Sequence, residues 1–240
     1  MATDLKWDEK LSDKMYETGV DHAVLYNKVL EESKGYGNGV AWNGITSVSE
    51  SPSGAEETAL YADNIKYLSL RSAEEFGATL EAYTYPDEWM DCDGSADLGG
   101  LAGVTIGQQT RSTFGLSYRT KVGDAEKGDD RGYKLHLLYG GTASPSERAY
   151  QTINDSPEAI TFSWEVTTTP VKVAPIDNKE YKSTSILTID TTKMTADAKA
   201  KLKDLEDILY GRVAKQGQEG QYEDARLPLP DEVYSIFKAA

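Results

Sequence analysis

Cysteine occurs once in the 240 residues, at Cys92, and histidine twice. A lone cysteine excludes an intramolecular disulfide and fits a chain made in a reducing cytosol. With so few thiols and imidazoles, scattered along the chain, neither a histidine-based triad nor a zinc cluster has a signature. No run of about 18 apolar residues occurs, and the first residues, MATDLKWDEKLSDK, lack the apolar core of a signal peptide. The chain is therefore expected to be soluble, with no membrane anchor. Basic residues are also scarce. Twenty-five Lys and Arg stand against forty Asp and Glu, a formal charge of −15, which argues against a surface that grips the nucleic-acid backbone. Glycines at 35, 37, 39 and 44 do not form GxGxxG, and GxxxxGK[ST] does not occur, so a phosphate cradle is not expected. These glycines instead suit a bend or close backbone approach at the rim of a sheet.

What is present is acid, unevenly placed. Residues 50–97 hold twelve Asp and Glu but only Lys66 and Arg71 as bases, so ten of the fifteen net charges lie there. One reading is a solubility device; the other is a surface meant to repel polyanions. A chain of this length buries roughly 70 to 75% of its unfolded surface without help from disulfides.

Period-two patterns dominate. In 64–86, NIKYLSLRSAEEFGATLEAYTYP, a first run from Ile65 to Leu70 precedes a second in which Phe76, Ala78, Leu80 and Ala82 alternate with Glu75, Gly77, Thr79 and Glu81. Residues 71–74 are expected to connect the two runs as a hairpin. Further strands are expected at 20–30, 40–49, 101–106, 113–120, 133–139, 159–169 and 185–190. In 159–169, Ile160, Phe162, Trp164 and Val166 face opposite Thr161, Ser163, Glu165 and Thr167. Residues 50–63 and 121–132 read as polar loops, and 86–92 as a short helix with Pro at its first turn. Ala198, Leu202, Leu205 and Leu209 predict a helix over 195–210, capped by Thr195, ended by Gly211 and edged by Asp197 with Lys201 and Lys203 with Asp207. After a linker at 212–224, residues 231–237 read as a short helix whose Val233, Ile236 and Phe237 dock on this subunit or another.

Carboxylates are the remaining candidates for chemistry. Glu75 and Glu81, read as one strand face, stand about 20 Å apart at roughly 3.3 Å per residue, too far for a glycosidase pair. Asp91, Asp93, Ser95 and Asp97 have a calcium-like spacing, but an EF-hand loop needs Gly sixth and Glu twelfth, and here Gly94 is fourth and Ala102 twelfth. No catalytic residue, metal or cofactor is expected. Four Trp and fifteen Tyr leave a monomeric carbohydrate-binding β-sandwich as a rival reading.

Several motifs in order carry a resemblance: YETGVD at 16–21, YGNGVAWNG at 36–44, LYADN at 60–64, EFGATLEAYTYPDE at 75–88, NDSP at 154–157 and FSWE at 162–165, with a weaker echo in LEDILYG at 205–211. They resemble the major tail proteins of Gram-positive bacteriophages, over roughly residues 16–171. The resemblance implies a mainly β fold, two packed sheets or a partly closed β-barrel of the tail-tube type with a flanking α-helix. It further implies hexameric rings stacked into a tube in the virion tail, assembled in the host cytoplasm, through which DNA passes without specific binding. Implied partners are further copies of the chain, a tape measure protein, a tail terminator and baseplate or tail-tip proteins. A secretion-system tube protein would share the fold.

On this basis the chain divides into an N-terminal arm (1–18), a β domain (19–211) and a C-terminal linker and arm (212–240). Glu75, Thr79, Glu81, Thr161, Ser163, Glu165 and Thr167 are the expected lumen lining, although the same faces would equally suit the exterior. In the family a long loop near 50–63 helps join rings. Glu50, Ser53, Glu56 and Glu57 there, with Asp124, Lys127, Asp129 and Asp130 at the second loop, are the expected ring-stacking or subunit contacts.

Overall fold

The computed structural model describes residues 7, 10–30, 35–153, 159–215 and 220–238. The NDSP motif at 154–157, residues 1–6, 8 and 9 of the expected arm, and 216–219 of the expected linker lie outside the described residues. Strands β1 (Met15–Val29), β2 (Tyr36–Ala41) and β3 (Ile45–Glu50) come first. The two-residue β4 (Ser53–Gly54), then β5 (Glu57–Ala62), β6 (Ile65–Arg71) and the two-residue β7 (Glu74–Glu75) form an excursion, from which β8 (Gly77–Ala82) returns. A short helix α1 (Met90–Asp93) leads to the small pair β9 (Ala96–Asp97) and β10 (Thr105–Ile106). The long hairpin β11 (Phe114–Asp124) and β12 (Gly128–Ala143) follows, then β13 (Phe162–Thr168), β14 (Ile186–Asp190), α2 (Ala196–Leu209) and α3 (Pro230–Lys238).

Eight strands make one antiparallel sheet in the order β2-β1-β11-β12-β13-β8-β3, with β14 joining β12 beside β13. β12 is long enough to serve two partners on one edge: its residues 134–138 pair with β14 and 141–143 with β13. The change falls at Gly140, at φ +64, where an added Cβ would lie 2.0 Å from the Thr169 carbonyl oxygen. Only glycine meets both conditions.

The sheet folds over its own inner face. Residues 42–44 join β2, at one end of the strand order, to β3, at the other. The Trp42 N–H donates to Ala23 O and the Tyr83 N–H to Gly44 O, both at 2.8 Å, so the corner is bonded to both layers. Between the layers lies a core that includes Leu25, Leu80, Trp89, Phe114, Leu116, Trp164 and Val166. Alternation explains which side chains enter it: Ala78, Leu80 and Ala82 are buried while Thr79 and Glu81 point away. β2 and β3 share no ladder, so among the described residues the barrel is not closed. The protein is mainly β, and one wrapped sheet replaces the two separate sheets that were the other expectation.

The outer face of β1, β12 and β14 is covered by helices. In α2, Leu202, Leu205 and Leu209 are buried against Val24, Tyr26, Leu135 and Leu137. Each such leucine contributes about 1.5–3 kcal/mol. Thr195 Oγ1 accepts from the Ala198 N–H at 3.3 Å as cap, and Lys203 pairs with Asp207 at 2.7 Å, whereas Lys201 approaches Asp204 rather than Asp197. The end of the chain docks on this same copy. Leu227 is fully buried and bridges Tyr36, and Val233, Ile236 and Phe237 pack into the same cluster. Gly35 permits that approach, since a Cβ there would meet Leu227 O at 2.0 Å.

Several expectations change. The run 40–49 is two strands split at Gly44, and of 101–106 only Thr105 and Ile106 are paired. β1 begins at Met15, inside the expected arm. The hairpin expected within 64–86 does not form: β6 pairs with β5, and β8 with β3 and β13. The cause is local. Asp63 and Asn64 both adopt left-handed backbone, φ +52 and +63, the two-residue turn whose twist matches a hairpin.

Candidate assembly surfaces

The outward face of β3, β8 and β13 gathers most of the expected lumen residues. Register places Ser163 opposite Glu81, Glu165 opposite Thr79 and Thr167 opposite Gly77, so Thr79, Glu81, Ser163, Glu165 and Thr167 form one patch on the reverse of the Leu80–Trp164 core. β3 extends it with Ser47 and Ser49, opposite Glu81 and Thr79, and Ser47 Oγ donates to Glu81 Oε2 at 2.9 Å. Periodicity alone does not point to these serines, because their place depends on which strand β3 pairs with. Glu75 is not on this face; it lies in β7 opposite Ser53, separated from β8 by Phe76. Thr161 is exposed just before β13 begins. The three strands carry two outward carboxylates, several hydroxyls and no Lys, Arg or His. Such a face holds water and repels phosphates.

The expected loop at 50–63 is half of a β arm. All seven residues of β6 are exposed, and Tyr61, Ile65 and Tyr67 expose 72%, 65% and 69% of their surface. Leu68 and Leu70, on the alternate face, are exposed as well, so neither side rests on the body. The arm is braced from within. Lys66 Nζ reaches Glu57 at 2.6 Å, and this bond chiefly holds the Glu57 carboxyl below its ordinary range. At the base, Ser53 pairs with Glu75, and the Glu56 N–H donates to Ser72 Oγ at 3.1 Å. A lone two-stranded hairpin is marginally stable in water, and apolar edges without cover are a pairing hazard.

Three of the expected contact residues, Glu50, Asp124 and Asp129, also bond within this copy. Glu50 accepts from the Tyr118 hydroxyl at 2.7 Å, tying the arm's root to the central hairpin. Asp124 is buried and holds the β11–β12 turn, accepting from the Glu126 N–H (2.9 Å), the Lys127 N–H (2.5 Å) and the Arg131 guanidinium. The Lys127 amide first, then Arg131, keeps its carboxyl below the usual carboxylate range. Asp129 accepts from Tyr16 at 2.8 Å, while Lys127 and Asp130 stand at the exposed tip.

The calcium-like stretch is engaged with protein donors. Asp93 accepts from the Ser95 N–H at 3.0 Å and pairs with Arg148, and Asp91 accepts from Asn27 Nδ2 at 3.3 Å. Among the described residues, no three His, Cys, Asp or Glu gather as a metal site, and no helix is long and apolar enough to cross a membrane. Compared with known proteins, the chain matches no protein-family model, and no curated protein is significantly similar to it.

Proposed function

We propose that this chain is a structural subunit of a bacteriophage tail tube, polymerising as stacked hexameric rings around a conduit for DNA. The observation that carries the reading is the β5–β6 arm, an element whose apolar residues on both faces are exposed in one copy. Burial against a neighbour removes that surface from water at about 25 cal/mol per Å². The ordered motifs resembling major tail proteins, all but one of them within the described residues, support the same reading.

The mechanism is physical, and no catalytic step is assigned. The hydroxyl and carboxylate face of β3, β8 and β13 lines the bore, and the phosphates of the passing DNA find no cation there to hold them. At physiological salt the repulsion acts over about 8 Å, close to the wall, where sticking would occur. In the virion tail the further partners are a tape measure protein, a tail terminator and baseplate or tail-tip proteins.

The carbohydrate-binding alternative needs aromatic rings on a surface. Three of the four tryptophans, Trp42, Trp89 and Trp164, are instead buried in contact with one another, and the exposed rings Tyr61 and Tyr67 stand on the projecting β5–β6 arm. A secretion-system tube protein remains the nearer rival, separated by cellular context. Negative-stain microscopy of the purified protein tests the proposal: rings or tubes are expected, and a monodisperse monomer that is retained on glycans would overturn it.

A further inference from the structure

We infer that the β5–β6 arm of one copy seats in the apolar groove beside α3 of a neighbouring copy and adds a strand to the free edge of β14. The inference rests on the assembly reading above and names the receptor for the arm. The groove encloses about 590 Å³; residues 186–190 form its floor, and Ile176, Tyr181, Val233 and Phe237 are among its walls. β14 pairs only with β12, so among the described residues its second edge has no ladder partner; Ile186 is met by the Thr184 hydroxyl, which donates to its carbonyl at 2.8 Å and accepts from its N–H at 3.3 Å, and the edge beyond it is open. Among the described residues β5 and β6 pair only with each other, which leaves the arm two free edges of its own. Free, apolar edges at two different places on one chain are the requirement for head-to-tail strand addition.

Charge supports the same partner. Residues 53–75 hold five acidic side chains against Lys66 and Arg71. The groove wall at 171–182 carries Lys172, Lys179 and Lys182 against Asp177 and Glu180, and Asp177 is already matched by Lys238. The basic character belongs to this wall alone: of the charged residues lining the groove, Lys182 is countered by Asp190, which Lys193 approaches at 3.5 Å, and an acidic visitor is suited to the 171–182 side. The arm does not fill its own groove. A second cavity, of about 770 Å³, separates its root at Arg71, Glu74 and Phe76 from residues 182–186, and the β4–β7 pairing fixes the root's direction.

Cysteine cross-linking tests this in the full chain. Native Cys92 is buried and its thiol is pushed up to about 12 by that burial, so it does not compete. Tyr67→Cys and Tyr181→Cys proteins are mixed, polymerised and oxidised. A disulfide-linked dimer that neither variant gives alone is expected, and it is lost when Ile176→Asp is added to the Tyr181→Cys chain with its melting temperature unchanged. Tubes without the mixed dimer would overturn the receptor assignment and leave the tube reading standing. An intrachain link in the Tyr67→Cys, Tyr181→Cys double variant, with no dimer, would show the arm closing on its own copy and overturn it too. Neither tubes nor dimer would sink both.

Discussion

His136 lies flat against Tyr118, ring centroids 4.7 Å apart and planes within 3°, directly under the carboxylate that roots the arm. His136 Nδ1 is 3.4 Å from Glu50 Oε1, and its Nε2 lies 3.0 Å from Thr120 Oγ1. Burial depresses its pKa, outweighing the opposite pull of Glu50 and Glu17, while Lys134 adds to the depression.

The direction of the pH effect follows. Unfolded, the imidazole titrates near 6.5; folded, it titrates lower. Above about pH 6.5 both states are neutral and nothing is lost. As pH falls below that value the unfolded chain takes the proton first, so stability declines until the folded pKa is passed. Melting curves between pH 7 and 5 are expected to show a decline that His136→Gln flattens; equal slopes in the two proteins would refute the assignment.

Trp89 is the hub of the inner core, 4.6 Å from Trp42, 4.9 Å from Phe114 and 5.4 Å from Trp164 between ring centroids. Trp89→Ala is expected to cost about 3–5 kcal/mol in chemical denaturation. Trp89→Phe is expected to cost less, because the indole N–H it removes is buried without a partner among the described residues.

Gly140 and Gly99 make a matched pair. Both have positive φ, but a Cβ at Gly99 meets nothing within 4 Å, whereas one at Gly140 meets Thr169 O. Gly99→Ala is expected to cost about 1–2 kcal/mol, the left-handed penalty alone. Gly140→Ala is expected to exceed it and to loosen β13 from β12, read as faster amide exchange in 141–143.

Glu81→Lys with Glu165→Lys places two cations on the outward face of β8 and β13. Folding stability is expected to change by only about 0.5 kcal/mol. Tubes should still form but should bind DNA, and genome delivery should fall. Infectivity at the parental level would remove this face from the lumen.

The sequence alone determined features written in short-range repetition. The α2 face of Leu202, Leu205 and Leu209 follows from a 3.6-residue period, and the inward Trp164 and Val166 against outward Glu165 and Thr167 follow from a period of two. What periodicity does not carry is the partner of a strand. Ile65 to Leu70 alternates equally well beside β8 or β5, and the left-handed pair Asp63–Asn64 chose β5, turning an expected loop into the arm. Asp63–Asn64 was the available signal: two residues that tolerate positive φ, set between apolar runs.

Tertiary structure alone decided which polar residues meet. Ser47 joins Glu81 because a three-residue corner carries the chain from one end of the strand order to the other. Asp124 looks like a surface carboxylate in GDAEKGDDRG, and only the fold of the β11–β12 turn buries it. Glu75 fell from the face of Glu81 because the chain leaves one ladder for another at Phe76. Local sequence fixes which way a side chain points relative to its neighbours, since backbone geometry repeats over a few bonds; long-range closure decides what it points at.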